Sequence, residues 1–597
     1  MVRRSFSLAL LLCLVGGCAS FEGEREARYP TPARGMVVCE HPLAAGVGAK
    51  ILEAGGNAAD AAVATAFALA VVLPRAGNLG GGGFAIWVDH DPTQDPLALD
   101  FRETAPATLT SSHFLDANGE PDFQRSIRTS LGVGTPGSVA GLWELHERLG
   151  SMTFAEVLGP AIELAEQGFE VDPWLAQSLE REATQQLLSR TGVASEVFYP
   201  NGRALRAGEL LVQPMLAETL QRIRRQGPDG FYRGEVAEAI VEAVQVDGGV
   251  LQLQDLLDYK PKWREPLRGW FRGLEVVTVP PPSSGGVVLL QVLGMLDGFP
   301  LDAEIALANE EALAMGRSVD AANQGLSARA VHWWIETMRR GFSDRAEHLG
   351  DPDFHEVPTQ RLLSADWIAE RRISVGEFAT PEIGPLGIAQ AGESDQTTHI
   401  SVLDSDGNAV SLTTTLNASF GCGLLVPGVG VMLNNELDDF AIHSGLPNLY
   451  GLVGGSANSL QPGKRPLSSM TPTVVREDGR VVRWVLGAPG GPRIITAVIQ
   501  VLLRGEVYGL SVADAVAAPR LHQQWVPSFT RVEAGWDPVL LQGLNDRRHE
   551  IVETQATMGR VQAIRVFPGG EPEGASDPRD NGAVAAEGLP VQPASFD

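Results

Sequence analysis

Cysteine is nearly absent from this chain, with four in 597 residues, and that scarcity excludes a disulfide-built scaffold. Two of the four, Cys13 and Cys18, lie in an apolar N-terminal segment, leaving Cys39 and Cys422 for the folded body. These two can form one bridge at most, and two buried, unpaired thiols is the preferred reading. No CxxC or HExxH spacing occurs, so nothing points to zinc. Cations are also in short supply: 46 Lys and Arg against 73 Asp and Glu give a net charge of −27. Phosphate binding depends on clustered Lys and Arg, so nucleic acid is excluded as a partner. The acidity itself reads as solvated surface and names no ligand. Beyond the N-terminus no apolar run reaches the ~18 residues a membrane span needs without charges or glycines. A G-x-S-x-G nucleophile elbow is missing too, which removes support for a Ser-His-Asp hydrolase of that type. Internal repeats and low-complexity tracts are likewise missing.

What is present begins with a targeting segment. Arg3 and Arg4 precede an apolar core from Phe6 to Val15, too short to span a bilayer and right for an export signal. The ending Val15-Gly16-Gly17-Cys18 resembles a bacterial lipoprotein signal, in which Cys18 becomes the lipidated first residue. Ordinary cleavage after Ala19 is the alternative. Ala19 in place of aspartate resembles lipoproteins sorted to the outer membrane. The expectation is a signal over 1–18, a polar tether over 19–34, and an exported, periplasmic or outer-membrane protein.

Along the folded body, Pro42 to Val72 reads as two helices split by Gly55-Gly56-Asn57, with Asn57 capping the second. The run Gly80-Gly81-Gly82-Gly83 passes from helix into strand, the reverse of a phosphate loop, and reads as a tight backbone crossing. Strands are expected at Phe84–Val88, Leu97–Arg102, Leu274–Val279, His399–Leu403, Ala409–Leu416, Val429–Leu433, Thr473–Val475 and Val481–Leu486. Residues 139–245 are mostly helical in period. Pro280-Pro281-Pro282-Ser283-Ser284 leads into an apolar helix capped by one of its serines, and another helix starts after Gly490-Gly491-Pro492. Residues 301–328 read as a helical insertion and 365–396 as an exposed connector. Helices and strands grouped by region give a layered α/β class with antiparallel sheets.

The most telling stretch is Asp395 to Ser405, DQTTHISVLDS, which sets two threonines at the head of an alternating strand. A threonine hydroxyl is a weak nucleophile that needs a base. Cutting the chain just before it supplies one, because the new α-amine titrates near ~8 and is partly free at neutral pH. A surface hairpin is the alternative reading of these eleven residues. His399 is read as a strand residue pointing away from the chemistry.

The run QTTHISVLDSDGNAVSLTTTLNASFGCG resembles the small-subunit start of the γ-glutamyltransferases, or glutathione hydrolases. In order, AGNLGGGGF, DFRETAP, GTPGSVAG, PPPSSGG, LGDPDF, NNELDDF, GKRPLSSMTPT, GAPGGPRIIT and GASDPR also resemble family blocks, covering about Gly35 to Arg579. The resemblance implies an αββα sandwich of the N-terminal-nucleophile hydrolase type. It would be one large domain, made from a large subunit (35–396) and a small catalytic subunit (397–597) after self-cleavage at Gln396–Thr397. Carried over by position, Thr397 is the nucleophile, Thr415 its hydrogen-bond partner, and Gly490 and Gly491 the oxyanion hole. Arg102, with Ser468 and Ser469, would bind the donor's α-carboxylate, while Asn417, Glu436 and Asp439 would hold its α-ammonium.

Residues 439–451 resemble a lid loop with Tyr450 as its tyrosine, and Asp439 with Tyr450 argue against the related cephalosporin (glutaryl) acylases. The resemblance therefore implies glutathione and other γ-glutamyl compounds as donors and amino acids or dipeptides as acceptors. It implies no cofactor and no metal, and it allows membrane contact only through a lipid anchor. Two departures stand out: Cys422 sits where hydroxyl or small residues are usual, suggesting oxidation sensitivity, and the 301–328 insertion and the tail after Arg579 match no family block.

Overall fold

The computed structural model describes residues 32–594 except 317, 382–396 and 444. Its centre is the hairpin of Thr397–Leu403 and Ala409–Thr415, whose β-branched residues suit a buried pleat. The turn between them is closed by Asp404, whose Oδ1 accepts from the N–H groups of Asp406, Gly407 and Asn408 at 3.1, 3.0 and 2.8 Å. The resulting antiparallel register sets Thr415 directly opposite Thr397.

This hairpin is the middle of an eight-stranded sheet. On one side it pairs with Met36–Cys39, which carries Ala583–Ala586 and Gln592–Pro593 beyond it. On the other it pairs with Gly82–Val88, followed by Leu97–Asp100 and Lys262–Arg264. A six-stranded sheet lies against it, in the order Pro572–Ser576, Gln562–Val566, Val481–Gly487, Thr473–Glu477, Leu274–Thr278, Leu267–Phe271. All pairs in both sheets are antiparallel.

Alternation assigns the faces. Ile400, Val402, Val410 and Leu412 join the core formed with the helices Pro42–Glu53 and Ala58–Val72. Val38, Ile86 and Leu403 join the second core, with Val474, Val485, Ile564 and the helices Gly285–Asp297, Ala328–His348 and Arg493–Glu506. Helix, sheet, sheet and helix make the αββα sandwich expected from the resemblance, and both cores draw on residues from either side of position 397.

Several local readings hold. The helix Ala58–Val72 starts at Asn57 with a full capping box through Asp60. The glycine run is a backbone crossing, since a Cβ at Gly81 would lie 1.9 Å from the Thr415 carbonyl oxygen. Cys39 and Cys422 are free and buried.

Others need correction. Val429–Leu433 forms only isolated bridges, Leu425 to Met432 and Gly80 to Leu433, because Gly428 and Gly430 take φ of 69° and 71° and interrupt the extended backbone. The supposed connector contains a helix, Ala365–Ile373, capped by Ser364 at its N-terminus; none of its residues is buried, so it has no apolar period to read. The helix Gly285–Asp297 does start at the expected serines, with Ser284 in the cap position and Ser283 Oγ accepting from Gly285 N–H, while the Ser284 hydroxyl serves another partner. The tail after Arg579 is an integral strand beside Met36–Cys39.

Candidate active site

Where the two sheets open, a cleft with about 270 Å³ of empty space, open solvent included, gathers residues scattered over almost four hundred positions of the chain. Arg102, Thr397, Thr415, Asn417, Glu436, Asp439, Tyr450, Ser468, Ser469 and Gly491 all line it. Gly490 stands beside Gly491 outside the lining. Gln396 and Cys18 lie outside the described residues.

Thr397 begins its strand at the cavity floor, 4% exposed. Its hydroxyl lies 3.2 Å from that of Thr415, an arrangement dictated by the antiparallel register. Thr415 Oγ in turn accepts from the Asn417 N–H at 2.9 Å. Asn417 adopts a left-handed φ of 71°, which turns the chain out of the strand. Its Nδ2 donates to the Asn435 carbonyl at 3.0 Å, and its own carbonyl accepts from the Tyr450 hydroxyl at 2.7 Å.

Facing the threonines is a charge cluster. Arg102 is 1% exposed; one Nη contacts Glu436, the other donates to Asp439 Oδ2 at 2.6 Å, and Nε donates to the Pro466 carbonyl at 3.2 Å. The residues expected to hold opposite ends of a zwitterion thus hold each other. Burial works against the Arg102 charge, but Glu436, Asp439 and Glu103 more than offset it and raise its pKa. Burial likewise pushes the Glu436 carboxyl well above its ordinary range, with Arg102 opposing and Glu103 and Asp439 adding to the rise. Glu436 Oε2 is buried without a hydrogen-bond partner among the described residues. A bare carboxylate oxygen in this position favours an incoming cation.

Ser468 and Ser469 are presented by the Pro-Pro-Ser-Ser turn. Ser468 N–H donates to the Pro282 carbonyl at 2.8 Å, and Ser284 N–H and Oγ donate to the Ser468 carbonyl at 2.8 and 2.7 Å. Ser283 Oγ donates to the Met470 carbonyl at 2.6 Å. Ser283 and Ser284 thus scaffold the cavity wall as well as the helix start, a role that no local spacing signals. Gly490 and Gly491 have φ of 133° and 56° and lead into the helix Arg493–Glu506. Their backbone lies at the positive end of that helix dipole. A Cβ on Gly491 would come within 2.7 Å of the Tyr450 ring, so the glycine also makes room for that tyrosine.

Asn448, which sequence reasoning passed over, ties these parts together. Its Nδ2 donates to Asp439 Oδ1 at 3.0 Å, while its Oδ1 accepts from the N–H groups of Tyr450 and Leu452, each at 3.0 Å. Asparagine in a loop rich in Gly and Pro carries the only sequence signal for this.

Two expectations change. His399 shares the inner face of its strand with Thr397, since two residues complete the pleat. It bonds to the hydroxyls of Thr413 at 2.8 Å and Ser401 at 3.1 Å, and burial lowers its pKa to about 3. It is therefore a neutral link within the hairpin, packed against the second sheet where a Cβ on Gly487 would lie 2.3 Å from its ring. Cys422 does not line the cavity; its Sγ contacts the Leu433 carbonyl, and burial pushes the thiol up to about 11, which makes it unreactive.

A family model described as gamma-glutamyltranspeptidase matches residues 44–587, which includes the supposed insertion and the tail as far as residue 587. The chain belongs to the gamma-glutamyltranspeptidase family. Among curated relatives in that range, a glutathione hydrolase proenzyme of Escherichia coli (strain K12) is 43% identical, covering 97% of this chain and 98% of its own. A glutathione hydrolase proenzyme of Bacillus subtilis (strain 168) is 38% identical over 92% and 91%. An acylase ACY 1 proenzyme of Pseudomonas sp. (strain SE83) is 35% identical over 94% and 95%. Of solved structures, a cephalosporin acylase from Bacillus halodurans superposes with a TM-score of 0.78 at 29% identity, covering 96% of this chain and 99% of that one. A γ-glutamyltranspeptidase of Helicobacter pylori gives 0.51 at 35%, over 59% and 96%.

Proposed function

We propose that this gamma-glutamyltranspeptidase is an exported, self-processing glutathione hydrolase that passes γ-glutamyl groups to water or to an amino-acid or dipeptide amine. The observation that carries the reading is one cavity in which a strand-leading threonine, 3.2 Å from a second threonine hydroxyl, faces Arg102 paired with Glu436 and Asp439.

Maturation begins when Thr397 Oγ attacks the Gln396 carbonyl carbon. The Gln396–Thr397 amide shifts to an ester on Oγ, and water hydrolyses the ester, leaving a Gln396 carboxylate and a free α-amine on Thr397. The large (35–396) and small (397–597) subunits stay together because both cores are built from both. In turnover the α-amine takes the Thr397 hydroxyl proton as Oγ attacks the γ-carbonyl of the donor. Thr415 steadies Oγ by hydrogen bonding, and the N–H groups of Gly490 and Gly491 stabilise the developing oxyanion. The leaving amine collects the proton and departs, and the γ-glutamyl ester on Thr397 is resolved by water or an acceptor amine.

The donor's α-carboxylate exchanges with the acids at Arg102, whose planar fork suits it, and meets the hydroxyls of Ser468 and Ser469. The released Glu436 and Asp439, with Asn417, receive the α-ammonium, and Tyr450 closes over the bound group. A glutaryl acylase is the second reading, favoured by the acylase relatives at 35% identity and by the acylase superposition. It has no use for an acid pair that complements an ammonium. Assays with γ-glutamyl and glutaryl p-nitroanilides decide between them: faster turnover of the γ-glutamyl substrate is expected, and the reverse order would move the assignment. Export through the 1–18 signal and anchoring through Cys18 complete the proposal. Mass spectrometry of membrane-extracted protein should find a lipidated Cys18 as first residue; an unmodified N-terminus at Ser20 would refute the anchor.

A further inference from the structure

Arg345 lies behind the wall formed by Ser468 and Ser469, on the helix Ala328–His348, and is 3% exposed. Of the other fully buried arginines, Arg465 meets Asp100, Arg476 meets Glu275 and Arg520 meets Asp577, while Arg504 is held by the carbonyls of Ala322 and Pro519. Among the described residues Arg345 has no carboxylate within ion-pair distance, and its side chain makes one hydrogen bond, from Nε to Ser284 Oγ at 3.0 Å. A buried guanidinium without a counter-ion carries a desolvation cost that no partner charge offsets.

The hydrogen-bond path from it leads into the cavity. Ser284 Oγ accepts from Arg345 and donates to the Ser468 carbonyl at 2.7 Å, so the arginine fixes which way the Ser284 proton points. Ser468 and Ser469 are the hydroxyls assigned above to the donor's carboxylate. The charge balance points the same way. Arg102 alone faces an excess of acids, Glu436, Asp439 and, at 3.8 Å, Glu103, with which an incoming carboxylate must compete. A second cation behind the serines offsets that excess. Burial pulls the Arg345 pKa down to about 10, with Asp439 the one charge opposing it, so the residue remains a cation at neutral pH and acts electrically on the site.

We infer that Arg345 is a positioning residue that makes this site selective for donors bearing an α-carboxylate, through the Ser284–Ser468 relay and through its unneutralised charge. The inference rests on the γ-glutamyl reading above. It uses a residue of the large subunit to tune a wall that belongs to the small one.

Three p-nitroanilides test it on the mature two-subunit enzyme: γ-glutamyl, glutaryl (no α-ammonium) and 4-aminobutyryl (no α-carboxylate). Each is measured as a substrate or, where turnover is slow, as a competitive inhibitor. In Arg345→Met, KM should rise on the order of tenfold for the two carboxylate-bearing compounds, the scale of one charge acting across a low-dielectric wall. It should stay at the wild-type value for the 4-aminobutyryl compound, with kcat little changed. Arg345→Lys should recover most of the loss, and Ser284→Ala should show the same selectivity in smaller degree. Equal shifts for all three compounds, or none, would overturn the inference and leave Arg345 a packing residue. Should Arg345→Met fail to mature, Ser284→Ala decides alone, and a KM unchanged or raised equally on all three overturns the relay. Wild type that prefers the 4-aminobutyryl compound would instead bring down the γ-glutamyl reading itself.

Discussion

Asp439→Asn should separate γ-glutamyl from glutaryl recognition. Asp439 Oδ2 accepts from Arg102 at 2.6 Å and Oδ1 accepts from Asn448 at 3.0 Å, and the side chain is 12% exposed. The amide keeps the shape and the Asn448 contact but loses the charge offered to an α-ammonium. Hydrogen bonds to charged groups in such settings contribute roughly 1.5–3 kcal/mol. At 1.4 kcal/mol per tenfold, kcat/KM for γ-glutamyl p-nitroanilide should fall about ten- to a hundredfold. Glutaryl p-nitroanilide has no ammonium, and Arg102 loses a competing carboxylate, so its kcat/KM should hold or rise. The assay is initial-rate release of p-nitroaniline from mature enzyme, with complete subunit formation checked on a gel. An equal fall for both compounds would refute the assignment of Asp439 to the ammonium.

Thr415→Val removes the partner of Thr397 Oγ and strands the Asn417 N–H, so kcat should drop about tenfold or more, with KM little altered. Stopped-flow with γ-glutamyl p-nitroanilide checks this, and an unchanged kcat would make Thr415 a strand residue only. The His332–His549 pair makes a pH prediction. His332 Nε2–H donates to the Gly376 carbonyl at 2.9 Å, leaving Nδ1 to accept from His549 Nε2–H at 2.7 Å, so both rings are neutral. Burial, then His332, lowers the His549 pKa to about 4, with Glu336 opposing and Arg339 and Arg547 adding to the fall. The unfolded chain therefore binds the extra proton between about pH 6.5 and 4, and stability is lost as pH falls through that window, by up to about 3 kcal/mol. His549→Gln should flatten the decline in thermal midpoint between pH 7 and pH 4.5; a decline parallel to wild type would contradict it.

The parts of the fold legible in the sequence were those that satisfy a local rule. The Thr397–Thr415 hairpin showed alternating apolar residues around an Asp-Gly-Asn turn, and Asn57 after a glycine pair announced its helix as an N-cap. Val429–Leu433 looked equally apolar, but its glycines bend the backbone. Ala365–Ile373 is helical with no buried face, which leaves nothing periodic to see. The site is different in kind. Arg102, Glu436 and Asp439 sit in loops and a short 3-10 turn, where a charged residue reads as surface; only the ordered family blocks marked them. Asn448 and Arg345 stayed invisible, and Ser284 showed only as a helix cap, because their partners lie nine, 61 and 184 residues away and obey no local spacing. His399 shows the limit of a neighbour rule, since its tandem threonines point to opposite faces and only one of them shares its side.

The central claim is that Thr397 is both the cut site and the nucleophile. A denaturing gel and intact mass of purified wild type and Thr397→Ala, with the activity of each, test it most directly. Wild type should resolve into two chains, the smaller beginning at Thr397, while Thr397→Ala should remain one chain without γ-glutamyl hydrolase activity. An active wild type that stays a single chain, or a Thr397→Ala protein that still divides at residue 397, would contradict it.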